Sequence, residues 1–398
     1  MEQNRILILG AGYSGVMAAR RLAHKTNRKA AITLVNGSDH FANRIRFHQL
    51  AANQTLPQLP ITKMLAGSGV AFMQGMVTAI DATAKTVTVQ SAGDSRTLAY
   101  DYLIYALGSY IDSSRVPGAA EYALSVSTEA TTHALRERLP AVAARGGTLV
   151  VCGGGLTGIE TATEFAEAFP DLHVKLLTQG TLGADLSQRG REYLLRTFER
   201  LGIEVVNQAR ITRLTPQQVE YQGGAVDYDL ALWAGAFAVP ALARDAGLQV
   251  NGRGQVVVDE HLRSVSHPDI YVVGDAADVV EAINTPVRMG CASAYPMGAY
   301  AADDLAALLD GQPHRAHDFG YTVRCISLGR RDGLIQMVNA DDQPKEQIIT
   351  GWMGAQIKEM ICRYAVWQIQ NERLMYYPRR QALPLPFMTP RAAQPQER

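Results

Sequence analysis

Two stretches of the chain have the residue types and spacing to hold a pyrophosphate. Gly10-Ala11-Gly12-Tyr13-Ser14-Gly15 and Gly153-Gly154-Gly155-Leu156-Thr157-Gly158 both read G-x-G-x-x-G. Each follows an apolar run, Ile6 to Leu9 and Leu149 to Cys152, and each leads into a helical pattern. In such a strand–turn–helix unit the first glycine (Gly10, Gly153) allows the tight turn. The second (Gly12, Gly155) lets a pyrophosphate approach the backbone, and the third (Gly15, Gly158) lets the helix pack on the strand. Backbone N–H groups of the helix start, around Tyr13-Ser14 and Leu156-Thr157, then face the anion. One copy alone is weak, because glycine turns are common; two copies in this context predict two dinucleotide sites. Glu160 follows the second turn at the start of its helix, where an acid also simply suits the positive end of the helix dipole.

These turns need strands beneath them and helices behind them. The pattern predicts a helix after Gly15 with Arg20, Arg21 and Lys25 on its outer side, then a strand from Ala31 to Val35 ending at Asn36. That last position usually carries an acid that grips ribose hydroxyls; an amide can still hydrogen-bond a ribose. Short alternating strands follow over 70–99, then a buried strand over 101–109 ending in glycine, and a connector at 115–125. The second unit continues through 172–178, 201–206 and 229–237 to a strand-rich stretch at 254–280. A turn near Pro296 predicts a helix from Met297 to about Asp310. CISLGRRDGLIQMV, 325–338, reads as two strands around a turn, and 354–374 as a helix. The last dozen residues, FMTPRAAQPQER, read as disordered.

Composition narrows the class. At 398 residues the length suits two or three domains, and 47% hydrophobic residues with 35 glycines suit an α/β protein. Net charge is zero and no basic stripe is visible, so nothing favours nucleic acid. The N-terminal residues show no apolar signal segment. The longest uncharged apolar run, LALWAGAFAVPALA at 230–243, is shorter than the ~20 residues a membrane span needs and contains Gly and Pro. Four cysteines, Cys152, Cys291, Cys325 and Cys362, are scattered without C-x-x-C, which argues for a reducing compartment and against zinc or a disulfide framework.

The order GAGYSG, YALGS, VPG, CGGGLTGIE, ALWAGAF, YVVGDAA resembles the two-dinucleotide-domain flavoproteins, over roughly residues 4–310. It is most similar to the type II NADH dehydrogenase and apoptosis-inducing-factor branch of the pyridine nucleotide-disulfide oxidoreductase superfamily. The resemblance implies two Rossmann-like domains: an FAD domain (1–112 and 258–322) split by an inserted NAD(P)H domain (113–257), followed by a small α+β region (323–398). It implies FAD contacts from Gly10, Gly12, Tyr13, Ser14, Gly15, Asn36, Ala106, Leu107 and Gly108, a backbone contact from Val77, and a flavin lining from Arg44, Arg46 and His48. Taken singly, each of those basic residues reads equally well as solvated surface. Asp275, after Gly274, would accept hydrogen bonds from the ribityl chain, and a helix starting at Met297 would point its positive end at the flavin. On the nicotinamide side the resemblance implies Gly153, Gly155, Leu156, Thr157, Gly158, Ala234 and Gly235. Thr178 stands where NADH-using relatives usually carry an acid, which leaves NADH and NADPH open. Glu160 would orient the nicotinamide and exchange protons with reduced flavin.

The chain also departs from that pattern. No cysteine precedes Cys152, so the C-x4-C pair of the disulfide reductases is missing and electrons must leave from the flavin directly. The segment that carries glutamines for quinone in type II dehydrogenases corresponds to CASAYPMG, 291–298, without a glutamine. In the C-terminal helix Ile357, Met360, Ile361, Tyr364 and Trp367 or Ile369 lie on one side. Such a stripe packs on the protein itself or on a dimer partner more often than on a membrane. The resulting expectation is a cytoplasmic FAD-dependent NAD(P)H oxidoreductase, possible as a peripheral protein at the inner membrane face and as a homodimer, with no nucleic acid and no metal. Its acceptor would be quinone-like or another small molecule. The alternatives are a tailoring flavoenzyme acting on a metabolite beside the flavin, and a redox sensor or assembly factor with a long-lived reduced flavin–NAD complex.

Overall fold

The computed structural model describes residues 3–375 other than 28, 92 and 281–286. The C-terminal stretch expected to be disordered lies outside the described residues.

The chain builds two parallel five-stranded sheets. The first runs Ile270–Val272, Tyr102–Tyr105, Arg5–Leu9, Ala31–Asn36, Ala71–Gln74. The second runs Glu204–Val206, His173–Leu177, Thr148–Cys152, Leu230–Trp233, Ala123–Leu124. Beyond Arg5 and Thr148 their central strands are apolar and buried, because both faces are covered. The first sheet is completed by Ile270–Val272, a strand that follows the whole of the second sheet in the chain. Where the chain passes between the sheets, Tyr110–Ile111 and Phe237–Ala238 pair antiparallel. A three-stranded antiparallel sheet, Val323–Ser327, Gly333–Val338 and Pro344–Thr350, follows.

Five helices matter to the site: α1 (Tyr13–Lys25), α2 (Phe47–Ala51), α3 (Leu156–Ala168), α4 (Cys291–Leu309) and α5 (Gly351–Gln370). Three of them differ from the sequence reading. In α1, Arg21 is buried, forming an ion pair with Asp303 of α4 at 2.7 Å, and Arg20 reaches Glu372 at 2.8 Å. Only Lys25 of the three faces solvent. These cations fasten α1 to the C-terminal segment, a demand that periodicity cannot reveal.

Helix α4 starts at Cys291, not Met297, and carries Pro296 in its interior. A proline there costs about 3 kcal/mol. Packing offsets it: Met297, Ala299, Tyr300, Ala301, Ala302 and Leu305 are fully enclosed, and Gly298 lies directly on the Ser14 backbone of α1. The helix start assigned to Met297 therefore belongs to Cys291, with Met297 inside the core.

Helix α5 divides the expected apolar stripe: Ile369 is buried and Ile357 and Ile361 are half-buried, while its larger residues face outward. Its inner residues are Gly354, Ala355, Cys362, Ala365, Gln368 and Ile369, whereas Met360, Tyr364 and Trp367 of the apolar stripe are 61%, 49% and 43% exposed. Small residues let the helix backbone approach closely: Gly354 lies against the Gly333 carbonyl.

Candidate functional site

The first glycine turn is shaped by its neighbours. Gly10 has φ +99°, and a side chain there would strike the Ala106 carbonyl, so turn and strand end are in backbone contact. Gly12 opens onto free space, with nothing within 4 Å of where its Cβ would be. It also N-caps α1, and no side chain bonds to that cap and no acid occupies the first turn. A helix start left this way suits an anion. Ser14 and Gly15 are buried behind it; the Tyr13 hydroxyl donates to Asn43 Oδ1 at 2.7 Å. Asn36 uses its amide locally: Oδ1 accepts from Ala11 N–H at 2.9 Å and Nδ2 donates to the Ser38 carbonyl at 2.8 Å. It holds the turn rather than presenting a free carboxamide.

Asp275 sits where three segments meet. Its Oδ2 accepts from the Ser109 hydroxyl at 2.6 Å and its Oδ1 from Gly290 N–H at 2.9 Å, the residue just before α4. Arg44 Nη1 donates to the Ser109 carbonyl at 2.6 Å. Burial lowers the Arg44 pKa and the charge of Asp275 opposes that. Gly274, at φ +72°, lies beside the Ser14 hydroxyl. Gly108 and Leu107 follow Ala106 in the same strand end. Val77 stands apart from this junction, in a separate three-stranded sheet opposite Val89.

The second turn repeats the first. Gly153 has φ +131° and packs on Ala234 and Gly235; Gly155 faces open space and caps α3 without a side-chain bond or a first-turn acid. Gly158 lies on the Gly153 carbonyl, and Gly154 on the buried Thr178. Gly155, Leu156, Thr157 and Ala234 line a cavity of about 1050 Å³ that Ala277, Asp278, Arg288 and Arg324 also line. Both turns can thus receive a pyrophosphate, and the second opens into a chamber large enough for an extended ligand.

Glu160 is not a simple capping acid. Its Oε1 lies 2.8 Å from Lys358 Nζ of α5 and accepts from Ser327 N–H at 3.0 Å. Both side chains are 12% exposed. Burial opposes the charge on each; Lys358, then His48, nevertheless hold Glu160 below its usual value, and Cys325, then Glu160, hold Lys358 above its own, so the pair is ionised. Lys358 Nζ also donates to the Cys325 carbonyl at 3.2 Å, with the Cys325 Sγ at 3.9 Å. Cys291 and Cys362 feel the same charge, so three cysteines scattered in sequence gather around this lysine. Tyr13 of the first turn is near enough to sense Lys358 too; burial first, then these thiols, raise its pKa well above normal.

Arg46 and His48 are not solvated surface. Arg46 is buried and its Nη2 pairs with Glu359 of α5 at 2.6 Å. His48 of α2 is enclosed, its Nε2 has no hydrogen-bond partner, and burial lowers its pKa to about 4 despite the nearby Glu160. Lys358, Ser109 and Ser327 were missed by sequence reasoning. Lys358 had a signal: it is a lone cation on the small-residue face of α5, one turn from both Gly354 and Cys362.

Residues 4–297 match the description Pyridine nucleotide-disulphide oxidoreductase. A demethylphylloquinone reductase of Synechocystis is 27% identical over 78% of this chain and 80% of its own. A type II NADH:quinone oxidoreductase of Staphylococcus haemolyticus is 25% identical over 94% of this chain and 98% of its own. The crystal structure of the sulfide:quinone oxidoreductase of Aquifex aeolicus superposes with a TM-score of 0.79 at 18% identity, covering 93% of this chain and 92% of that one. It shares the fold. With the family match covering most of its length, the chain belongs to the pyridine nucleotide-disulphide oxidoreductases.

Proposed function

We propose that this FAD-dependent NAD(P)H oxidoreductase passes its electrons to a quinone-type acceptor beside the Glu160–Lys358 pair. The observation that carries this reading is the enclosed ion pair itself, 2.8 Å long and brought together by α3 and α5. A quinone needs protons as well as electrons, and a buried ammonium next to a carboxylate holds one ready. The relatives named for demethylphylloquinone and for NADH:quinone chemistry support the same acceptor class.

In this reading the flavin, when bound, accepts hydride from the nicotinamide and gives electrons onward. The chain's own residues bind, orient and protonate. Gly10, Gly12, Tyr13, Ser14 and Gly15 receive the FAD pyrophosphate, with Asn36 bracing the turn. Ala106, Gly108, Arg44, Ser109, Gly274 and Asp275 shape the junction; Asp275 retains lone pairs for a ribityl hydroxyl beyond its two protein partners. Gly153, Gly155, Leu156, Thr157, Gly158, Thr178, Ala234 and Gly235 hold NAD(P)H. Lys358 keeps a proton on Nζ, and Glu160 fixes its position. We assign residues 1–112 and 258–322 to the FAD domain, 113–257 to the NAD(P)H domain, and 323–398 to the region that covers the acceptor side.

No helix among the described residues is long and apolar enough to cross a membrane.

Anaerobic stopped-flow measurements test the proposal. NADH or NADPH should bleach the flavin, and menadione or a benzoquinone should reoxidise it rapidly. Fast reoxidation by a non-quinone metabolite, with every quinone slow, would make it a tailoring enzyme. Slow reoxidation by all acceptors with a persistent charge-transfer band would make it a sensor.

A further inference from the structure

Helix α3 carries three carboxylates on one face. Glu160, Glu164 and Glu167 stand at i, i+4 and i+7, a spacing that stacks side chains with roughly 5–6 Å between neighbouring Cβ atoms. Glu160 and Glu164 are buried, Glu164 completely, and Glu167 is half-buried at the outer end. The turn after strand Val323–Ser327 lies along this face. Ser327 N–H donates to Glu160 at 3.0 Å, the Thr163 hydroxyl donates to the Ser327 carbonyl at 3.4 Å, and Arg330 N–H donates to Glu167.

Glu164 lies between these two clamped acids. The Gln54 amide, just beyond α2, donates to its Oε1, while Oε2 is buried with no hydrogen-bond partner among the described residues. The charged groups that act on it are Arg330 from the turn and Glu160 and Glu167 from its own helix. His48, also from α2, is neutral and faces Glu160. Burial, then repulsion by the two flanking carboxylates against the pull of Arg330, raises Glu164 to about 7. A carboxyl so placed exchanges its proton readily at neutral pH.

The reaction needs such a group. Hydride from NAD(P)H carries two electrons and one proton. Reducing a quinone to a quinol takes two electrons and two protons. One proton per turnover must therefore come from solvent and reach an enclosed pair.

We propose that Glu167, Glu164 and Glu160 form a proton relay along α3, from the exposed Arg330 rim to Lys358. This rests on the quinone reading above. When Lys358 Nζ gives its proton to an acceptor oxygen, Glu164 passes its carboxyl proton to the Glu160 carboxylate, which hands it on to the neutral amine and is left ionised again. The Glu164 carboxylate then regains a proton through Glu167, which takes it from solvent. Each hop moves one proton, and the charges of the resting chain are restored.

The test uses the holoenzyme. In Glu164→Gln, kcat with a quinone should fall by about tenfold or more, approaching the ~10²-fold effect of losing a general acid. The pH profile of that kcat should lose its inflection near 7. Flavin reduction by NAD(P)H, and turnover with ferricyanide, which takes electrons without protons, should be unchanged. Glu164→Asp should restore most of the rate. Glu167→Gln, at the half-exposed rim and safer for folding, should slow quinone turnover in the same selective way. An infrared titration should show a carboxyl band that titrates near neutral pH in the wild type and is missing from Glu164→Gln. Unchanged quinone turnover and pH profile in folded Glu164→Gln, or equal losses with ferricyanide and quinone, would overturn the relay. If the wild type reduces ferricyanide but no quinone, the acceptor reading fails, and the infrared titration decides whether Glu164 is a proton carrier: without the titrating band, it is not.

Discussion

Lys358 Nζ stands 2.8 Å from Glu160 Oε1, joining the C-terminal helix to the second turn of the helix behind the second glycine loop. The contact ties α5 to α3 through one ion pair. Removing either partner leaves the other buried and unpaired.

Lys358→Met should therefore destabilise the protein by about 3–5 kcal/mol and slow quinone turnover, while leaving FAD bound. Glu160→Gln should slow the proton-coupled step with FAD retained. The double variant should recover much of the stability but not the turnover. The pH dependence follows from the shifts. Glu160 is lowered, so its contribution is present above the usual carboxylate range and lost as pH falls through its folded value. Lys358 is raised, so its contribution is present up to the usual lysine range and lost only as pH rises through a still higher value. The stability deficit of Lys358→Met should be flat across neutral pH. Denaturant melts from acid to alkaline pH check this; a deficit that disappears at pH 7 would contradict it.

Glu164 and His48 should bend the stability curve in opposite directions. Glu164 is raised to about 7, so the folded state prefers it protonated, and stability is lost as pH climbs from the carboxylate range through 7. Glu164→Gln should be more stable than wild type at pH 8 by about 3 kcal/mol, an advantage that shrinks toward pH 4. His48 is lowered to about 4, so its contribution is full above the usual histidine range and lost as pH falls through 4. His48→Gln should flatten the acid limb. Thermal melts of both variants at several pH values read these signs.

The purified protein should be yellow with non-covalent FAD. Gly298→Ala would push a methyl group into the Ser14 backbone, separating α4 from α1 behind the first glycine turn. It should cost about 1–3 kcal/mol and weaken flavin retention. Gly180→Ala, where a methyl group meets nothing within 4 Å, is the control and should change neither. Absorbance after gel filtration gives the flavin content. A colourless, folded wild type that takes up no FAD would remove the basis of the whole reading.

The cysteines around Lys358 should not act as a redox pair. Burial pushes the Cys291 thiol up to about 12 and the Cys362 thiol up to about 11, so both stay protonated and unreactive at neutral pH. Serine at Cys291, Cys325 and Cys362 should leave NAD(P)H-dependent flavin reduction near the wild-type rate, apart from packing losses. Thiol counts should be equal before and after reduction. New thiols released on reduction, and lost with one substitution, would show a disulfide.

The outer face of α5 should bind a lipid surface. Trp352, Met353, Met360, Tyr364 and Trp367 are all exposed there, with the Tyr364 and Trp367 rings stacked at 5.6 Å. Of the two cations on the helix, Lys358 is turned inward and Arg363 is paired with Glu359. Attraction to anionic lipid is therefore weak, and binding should depend little on salt. Vesicle co-sedimentation should fall with Trp352→Glu and Trp367→Glu. Equal sedimentation of wild type and variants, with dimerisation lost in the variants, would assign the stripe to a second copy.

The sequence by itself determined the two glycine turns and what lies under them. Apolar strands running into G-x-G-x-x-G force a parallel sheet, a tight turn and a helix start free of side-chain caps, and all three follow from local chemistry. The return of Ile270–Val272 to the first sheet was implied by the family resemblance of YVVGDAA, not by local pattern.

Only the tertiary structure decided the centre of the site. Nothing in periodicity distinguishes Arg46 and His48 from surface cations, because they are covered by distant segments: Arg46 meets Glu359 of α5, some 300 residues later, and the helix carrying His48 packs on α3. The start of α4 was misplaced because proline is a local helix breaker, whereas the close approach of Gly298 to Ser14 is a contact between distant segments. On α5 the large apolar residues suggested the inner face, yet the small ones pack inward, since only they let its backbone approach the strand at Gly333. That packing carries Lys358 inside to Glu160. A buried charge is tolerable only opposite its partner, and which partner it meets is settled by how the elements pack.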